Sequence, residues 1–305
     1  MLFNERYTST LITGANGFLG RYLRAAYTGR RLVTLGLSGC DFNVDLSQVV
    51  PKFNGPFLKV IHAAGLAHVL PRSRESAQKF YDVNVTGTYN LFKGLEGLAK
   101  LPEIIIFIST VAVYGLDKGE NIDESTSLNG NTPYALSKIR AEELLREWGK
   151  KNNVSILILR LPLIAGTNPP GNLGAMIRAI RRGYYLRIGD GCARKSIVLA
   201  EDVARFIASC PNISGTFNLT DGYHPSVREI ETAIGSALHK KIRHIPFPIL
   251  RMAARLGDIF PPSPLNSMKL NKLTSSLTFS DTRARSEIGW QSRPVIEYLE
   301  SLLKE

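Results

Sequence analysis

The sequence predicts an α/β protein built on a doubly wound parallel sheet, and three observations support this class. Short apolar runs alternate with helical stretches through the first half of the 305 residues. Two of the runs, 104–108 and 156–159, contain no polar residue, as expected of strands that are covered on both faces. The hydrophobic fraction is 44% against 21% charged residues, which is enough for a full core.

The order of the elements follows from this alternation. Strands are expected at 9–13, 31–37, 58–64, 104–110 and 155–164, and helices at 17–27, at 83–100 and from about Pro133. Successive β-α-β units connect with a right-handed crossover and produce a parallel sheet. We therefore predict a Rossmann domain over residues 1–165.

A second pattern begins after residue 165. The Gly- and Pro-rich segment GTNPPGNLG at 166–174 indicates a turn region. It is followed by a basic helix, a strand at 215–222, a helix near 226–240 and a Pro-rich stretch that ends FPPSPL at 260–265. These elements predict a smaller, mixed α/β C-terminal substrate lobe over 166–305, with segments that interleave with the first domain.

Charge and composition limit the kinds of molecule that the protein is predicted to bind. The net charge of +12 predicts an anionic partner, and residues 178–195 hold six basic side chains and one acid. This stretch is either a solvated basic face or part of a diphosphate site. The three cysteines lack metal-site spacing, so no metal is predicted.

Membrane insertion is not expected, because no apolar run approaches the roughly 20 residues that a membrane-spanning helix needs. The first residues carry no pattern of an export signal, which predicts a cytoplasmic protein. Residues 241–260 are basic and amphipathic. They either associate weakly with a membrane surface or pack their apolar face on the core.

The segment TGANGFLG at 13–20 predicts a dinucleotide site at the end of the first strand. Gly14, Gly17 and Gly20 would give a tight turn, close backbone approach to a diphosphate, and close packing of helix on strand. The second strand ends in VTLGLSG at 33–39, which offers no acid for a ribose 2′-hydroxyl. NAD and NADP therefore both remain candidates. The candidate partners of a 2′-phosphate are Arg21, Arg30 and Arg31.

The segment TPYALSK at 132–138 places Tyr134 and Lys138 on one face of a helix. A phenol has a pKa of about 10, and a nearby ammonium that favours the phenolate makes it a usable proton carrier near pH 7. A hydroxyl-ended strand precedes this helix at Ser109 and Thr110. The arrangement predicts a phenol that can carry a proton, close to a hydroxyl-ended strand.

Together these motifs resemble the extended short-chain dehydrogenase/reductase family, and within it the bacterial nucleotide-sugar 4-epimerases and 4-ketoreductases. The resemblance implies that Thr110, Tyr134 and Lys138 are catalytic. His62 and Asn84 have an alternative interpretation as hydrogen-bonded core residues. The cofactor-binding residues that the resemblance implies are Gly14, Asn16, Gly17, Phe18, Leu19, Gly20, Asp45, Leu46, Ala63, Ala64, Gly65, Asn84, Ser109, Tyr134 and Lys138.

The resemblance also implies a substrate. The residues that match the family's diphosphate-binding positions are Asn172, Leu173, Arg194 and Lys195. Residues 273–290 resemble a closing segment of members that act on UDP-N-acetylhexosamines for O-antigen and capsule. The family's dehydratases have Asp-Glu where this chain has Val111 and Ala112, so water elimination is not expected.

The predicted function is the NAD(P)-dependent reduction of a 4-keto UDP-N-acetylhexosamine, in a homodimer. The first alternative is a UDP-sugar 4-epimerase with tightly bound NAD. The second is a catalytically silent dinucleotide-binding regulator that uses its basic surface on nucleic acid. The three catalytic residues and the absence of a recognisable RNA-binding motif argue against that regulator, and no nucleic-acid partner is predicted.

Overall fold

Thirteen strands and eleven α-helices occur in the residues that this computed structural model describes, 9–259 and 266–304. The strands are β1 (Thr10–Thr13), β2 (Leu32–Gly36), β3 (Phe42–Asn43), β4 (Lys59–His62), β5 (Ile104–Thr110), β6 (Gly119–Ile122), β7 (Ser155–Leu161), β8 (Leu163–Ala165), β9 (Leu186–Ile188), β10 (Ile197–Leu199), β11 (Gly215–Asn218), β12 (Arg243–Ile245) and β13 (Leu277–Phe279). The helices are α1 (Phe18–Ala26), α2 (Arg74–Tyr81), α3 (Gly87–Glu96), α4 (Pro133–Asn152), α5 (Gly171–Arg181), α6 (Ala200–Ser209), α7 (Val227–Ala237), α8 (Phe247–Ile259), α9 (Ser267–Thr274), α10 (Thr282–Ile288) and α11 (Val295–Lys304).

Seven strands form a central parallel sheet in the order β11-β7-β5-β4-β1-β2-β3. The chain leaves β1 toward β2 and β3, and then returns to the other side of β1 with β4. Ligands of open parallel sheets bind at such a reversal, outside the carboxyl ends of the strands. The fold class is thus confirmed, and the crevice between β1 and β4 is the expected site.

Helices cover both faces of this sheet. On one face Leu19 and Leu23 of α1 pack with Val203 and Ile207 of α6. On the other face α3 and α4 pack together, and the rings of Phe92 and Trp148 stack 4.7 Å apart. Burial of each large apolar side chain stabilises the fold by about 1.5–3 kcal/mol, which explains the apolar character of β5 and β7.

The longest helix, α4, begins and ends at recognisable signals. The Thr132 hydroxyl accepts the backbone N–H of Ala135, and Pro133 occupies the first helical position. Asn153 ends the helix in the left-handed conformation, with φ of 53°. These caps place Tyr134 in the first turn of the helix, beside the end of β5.

The two halves of the chain interleave at the edge of the sheet. The strand predicted at 215–222 forms β11, which pairs with Leu157–Arg160 of β7. The remaining C-terminal elements include α5, α7 and α11, which share a separate core that contains Leu173, Ile230, Ile234 and Leu299. The segment that completes the central sheet therefore comes from the second half of the chain.

The predicted amphipathic segment at 241–260 forms β12 and α8. Leu250 and Ala254 of α8 are buried with Leu270 of α9, and Ile188 and Ile245 pack on them. None of the described helices is both long and apolar enough to cross a bilayer. The first eight residues, in which no export signal is predicted, and FPPSPL at 260–265 lie outside the described residues.

Candidate active site

The loop between β1 and α1 has the shape that a dinucleotide diphosphate requires. Gly14 has φ of +69°, and a Cβ there would lie 2.6 Å from the backbone nitrogen of Ala64. Gly17 precedes α1 and supplies no side-chain cap, so backbone N–H groups at the start of α1 can bind an anion. The residues present therefore fit the diphosphate of a dinucleotide.

Phe18 and Leu19 support this loop with their side chains. Leu19 is buried in the core below α1, and the Phe18 ring packs edge-to-face on Tyr22 with the ring centres 5.6 Å apart. Their backbone N–H groups belong to the first turn of α1. A contact of these two residues with the diphosphate would therefore be made by the backbone.

Asn16 connects the glycine loop to the loop after β2. Its Nδ2 donates to the carbonyl oxygen of Ser38 at 2.6 Å, and Arg24 Nη1 donates to its Oδ1 at 2.8 Å. Sequence analysis missed Arg24, although it lies on α1 two turns beyond Asn16. Arg24 is the basic residue that the structure places at the carboxyl end of β2.

Two of the proposed partners of a 2′-phosphate were wrongly chosen. Arg30 and Arg31 precede β2, so they lie at its amino end, away from the glycine loop. The Arg30 guanidinium donates to the carbonyl oxygen of Ala208, and the carbonyl of Arg31 accepts the N–H of Thr10. The third, Arg21, is exposed on α1.

The loop after β4, with Ala63, Ala64 and Gly65, is held by a buried amide. Asn84 Oδ1 accepts the N–H of Leu66 at 2.7 Å, and its Nδ2 donates to the carbonyl of Leu66 at 3.1 Å and to Ser137 Oγ at 2.8 Å. Asn84 lies in a π-helical segment, Asp82–Thr86, a feature that is frequent at functional sites. It therefore positions Gly65 and α4 relative to each other.

His62 has the role of a core histidine. Its Nδ1 is 2.7 Å from Thr13 Oγ1 and its Nε2 is 2.9 Å from Thr88 Oγ1. Burial, reinforced by the charge of Lys138, lowers the pKa of His62 to about 3. The imidazole stays neutral and joins β4 to β1 and α3.

Asp45 and Leu46, two of the predicted cofactor-binding residues, follow β3. The Asp45 carboxylate accepts the N–H and the hydroxyl of Ser47, at 2.9 and 2.7 Å. Leu46 is buried, and its carbonyl accepts Asn90 Nδ2 at 2.8 Å. The turn is therefore rigid, and the Asp45 side chain is exposed at its surface.

Thr110, Tyr134 and Lys138 come together at the carboxyl end of β5. Thr110 Oγ1 accepts the N–H of Ala112 at 3.2 Å. Burial raises the pKa of Tyr134, while the neighbouring Thr110 hydroxyl opposes the rise. The phenol is therefore protonated at neutral pH in the protein alone.

Lys138 reaches from α4 toward the β4 loop. Its Nζ donates to the carbonyl oxygen of Ile108 at 2.5 Å and lies 3.9 Å from the centre of the Phe107 ring. Burial lowers the pKa of Lys138 to about 7, with Glu142 opposing the shift. A Cβ added to Gly65 would lie 3.9 Å from Nζ. Lys138 therefore adjoins the cofactor loop as well as the catalytic helix.

The side chain of Ser109, a predicted cofactor contact, is bonded to α4. Its Oγ donates to Glu142 Oε1 at 2.5 Å, and the residue is buried. Glu142 lies one turn after Lys138 on that helix. The hydroxyl of Ser109 belongs to a buried network behind the site.

That network was missed by sequence analysis. Glu142 accepts Arg160 Nη2 at 2.8 Å, and Arg160 Nη1 donates to the Tyr114 hydroxyl at 3.0 Å. Burial alone would raise the pKa of Glu142, but the hydrogen bond and charge of Arg160 hold it below the ordinary value. The signals were an arginine inside an apolar strand and a glutamate one turn after Lys138.

Val111 and Ala112 lie in a 3-10 turn, Val111–Tyr114, that follows Thr110. Neither side chain can donate or accept a proton. The turn therefore provides no acid or base at the two positions where water elimination would need them.

The predicted substrate residues divide into two groups. Asn172 is exposed in the first turn of α5, whereas the side chain of Leu173 is buried in the core of the C-terminal elements. The start of α5 has no side-chain cap, and His68 lies beside it: a Cβ on Gly171 would be 2.5 Å from His68 Nδ1. The sequence did not predict His68 as a site residue. Its backbone is left-handed, with φ of 60°, and no sequence pattern indicates this conformation.

The side chains of Arg194 and Lys195 donate hydrogen bonds to main-chain carbonyl oxygens. Arg194 Nη1 donates to the carbonyls of Tyr223 and His224 at 3.2 and 2.9 Å, and Lys195 Nζ donates to that of Ser275 at 2.8 Å. Arg194 is exposed and Lys195 is half-buried. Their role toward a diphosphate stays a prediction.

Two known proteins are similar to this chain over most of its length. The N-acetyl-α-D-glucosaminyl-diphospho-ditrans,octacis-undecaprenol 4-epimerase of Escherichia coli O157:H7 is 28% identical over 91% of this chain and 89% of its own length. The UDP-glucose 4-epimerase of Mycolicibacterium smegmatis is 26% identical over 97% and 96%.

Among solved structures, the UDP-glucose 4-epimerase of Thermus thermophilus in complex with NAD superimposes with a TM-score of 0.73. It is 22% identical, with 97% of this chain and 98% of that chain covered, and supports the fold. The model of the NAD dependent epimerase/dehydratase family matches residues 10–210. The predicted resemblance is confirmed, and the chain belongs to the NAD-dependent epimerase/dehydratase family.

Proposed function

We propose that this enzyme epimerises C4 of an N-acetylhexosamine that is joined to its carrier through a diphosphate. The observation that carries the proposal is the Thr110–Tyr134 pair beside Lys138 and the glycine loop. Both relatives described above are named as 4-epimerases, and one of them acts on an N-acetylglucosaminyl diphosphate. The carrier is UDP, as the sequence predicts, or a polyprenol, as in the name of that relative.

Three side chains of the protein account for the proton transfer. When bound, the dinucleotide supplies the acceptor and donor of hydride at C4. In its phenolate form, Tyr134 takes the proton of the C4 hydroxyl at its Oη, and it returns the proton after the 4-keto group has rotated to present its other face. Thr110 donates a hydrogen bond to the same oxygen, and Lys138 favours the phenolate when it is protonated.

Reduction of a 4-keto sugar, which sequence analysis placed first, is the second candidate. The observation in its favour is at the end of β2, where residues 33–39 contain no acid and Arg24 of α1 binds Asn16. A guanidinium suits a 2′-phosphate, and NADPH is a common donor in net reductions. If this candidate holds, Arg24→Ala weakens NADPH binding and leaves NADH binding unchanged.

One experiment separates the two reactions. Purified protein is incubated with UDP-N-acetylglucosamine, with its polyprenyl diphosphate analogue and with 4-keto derivatives, and both products and nicotinamide absorbance are followed. An epimerase interconverts the intact sugars with no net change in absorbance. Stoichiometric consumption of NADPH on the 4-keto sugar alone would establish the reductase instead.

We infer that the enzyme works in the cytoplasm as a homodimer, without a nucleic-acid partner. Exposed apolar side chains on packed first-domain helices support the dimer: Tyr81 on α2, Tyr89 on α3 and Leu136 on α4. Tyr89→Glu with Leu136→Glu is expected to yield monomers in analytical ultracentrifugation. An unchanged sedimentation coefficient would move the dimer surface elsewhere.

A further inference from the structure

Helix α8 has two apolar faces, and only one of them is packed in the structure. Leu250 and Ala254 are buried against α9. Four other large side chains are 53%, 63%, 54% and 67% exposed, and we call them the apolar stripe: Ile249, Met252, Leu256 and Ile259. Their spacing of three, four and three residues places them on one side of the helix, away from the buried pair. A contiguous exposed apolar row marks an interaction surface.

The surroundings of the apolar stripe are basic. From residue 240 to residue 259 the chain has five cations, Lys240, Lys241, Arg243, Arg251 and Arg255, and one acid, Asp258. Arg251 and Arg255 are exposed on α8 itself, and the Asp258 carboxylate accepts the hydroxyl of Ser267 at 2.5 Å. Apolar side chains edged by arginines are the combination that binds an anionic lipid surface.

The stripe lies next to the predicted diphosphate residues. Helix α8 packs on α9. Directly after α9, the carbonyl of Ser275 accepts Lys195 Nζ at 2.8 Å and the hydroxyl of Ser276 accepts the N–H of Arg194 at 3.1 Å. Helices α8 and α9 therefore both lie between the stripe and Arg194 and Lys195.

We propose that the apolar stripe docks this enzyme on an anionic lipid bilayer. Pairing with a second copy would place two sets of five cations against each other, which opposes association, whereas anionic headgroups neutralise them. Docking would hold the enzyme at the layer in which the diphosphate of a polyprenyl-linked sugar resides, with α8 and α9 between that layer and Arg194 and Lys195. Only this last consequence, the lipid carrier, rests on the proposed function.

The test is co-sedimentation of the full chain with vesicles. Wild type is expected to bind phosphatidylcholine–phosphatidylglycerol vesicles at least about tenfold more tightly than phosphatidylcholine vesicles, and to lose binding as salt rises. Met252→Glu with Leu256→Glu is expected to weaken binding at least about tenfold, since both charges would enter the interface. Val49→Glu with Val50→Glu, which changes two exposed valines in the loop after β3, is the matched control and should bind as wild type.

Circular dichroism and dinucleotide affinity establish that each variant is folded. Equal binding of wild type and the stripe variant, or binding by neither, would overturn the proposal. So would a stripe variant that changes from dimer to monomer, because a second copy would then cover the stripe. Vesicle binding by a protein that converts no sugar diphosphate would reject the proposed function and leave docking in place, and turnover of UDP-sugars without vesicle binding would reject docking alone.

Discussion

At the scale of single residues, the catalytic side chains carry protonation states set mainly by burial. Tyr134 is held protonated, and burial brings the pKa of Lys138 down to about 7. The sequence predicts that the ammonium favours the phenolate. In the protein alone Thr110 is the group that lowers the pKa of the phenol, because Lys138 is turned to the carbonyl of Ile108.

Tyr134→Phe is expected to abolish turnover and to leave dinucleotide affinity nearly unchanged, because the ring still packs against Phe80 but the transferable proton is lost. Acid–base catalysis contributes at least about 100-fold, so the rate should fall by that factor or more. Steady-state assays and a dinucleotide titration measure the two effects. A variant that kept about a tenth of the wild-type rate would remove Tyr134 from the mechanism.

Lys138→Met is expected to raise the free energy of unfolding most at low pH. The folded-state pKa of Lys138 lies below its unfolded value of about 10.4, so the buried ammonium costs stability below about pH 7. This cost disappears as pH rises from 7 toward 10, and the variant's advantage should disappear with it. Urea titrations near pH 6 and pH 10 check the sign, and an advantage that grew with pH would contradict it.

At the scale of elements, α4 carries both the catalytic face and the network behind it. The sequence predicted the helix, its start and its Tyr-Lys pair correctly, because these depend on local spacing and capping. Ser109 and Glu142 could not be paired from the sequence, since their contact depends on the packing of α4 over β5. The 3.6-residue period places Glu142 below Lys138, but only the structure brings Arg160 of β7 to it.

Glu142→Gln is expected to destabilise the protein by about 3 kcal/mol, because it leaves the Arg160 guanidinium buried without its carboxylate. Glu143→Gln is the matched control on the same helix. Its carboxylate pairs with Arg140 at the surface, and the change should cost less than about 0.5 kcal/mol. Urea denaturation of both variants gives the comparison, and equal losses would mean that the network adds nothing to stability.

At the scale of the whole molecule, the first and second halves of the chain share one sheet. The sequence predicted the strand at 215–222 and segments that interleave with the first domain, but strand order in space has no local signal. In the structure β11 forms the sheet edge beside β7. Long-range pairing of this kind predicts that the two halves unfold together.

The two tryptophans report on the two cores that cover opposite faces of the central sheet. Trp148 stacks on Phe92 within the first half, and Trp290 packs edge-to-face on Phe206 with its indole N–H donated to the carbonyl of Thr220. Trp148→Phe and Trp290→Phe each leave one fluorescent probe. In each variant, the fluorescence transition in urea is expected to have the same midpoint as the transition measured by circular dichroism. Two separated midpoints would show that the two faces of the sheet unfold independently.

The position of β11 also matters while the chain is being synthesised. The ribosome completes β7 well before Gly215–Asn218 emerges, with α5 and α6 made in between. Until then the backbone of Leu157–Arg160 has no neighbour on that side, and an open apolar strand edge is a template for aggregation. A nascent chain that stalls before residue 215 therefore exposes this edge. We expect the chain to depend most on chaperones during synthesis of the residues between β7 and β11.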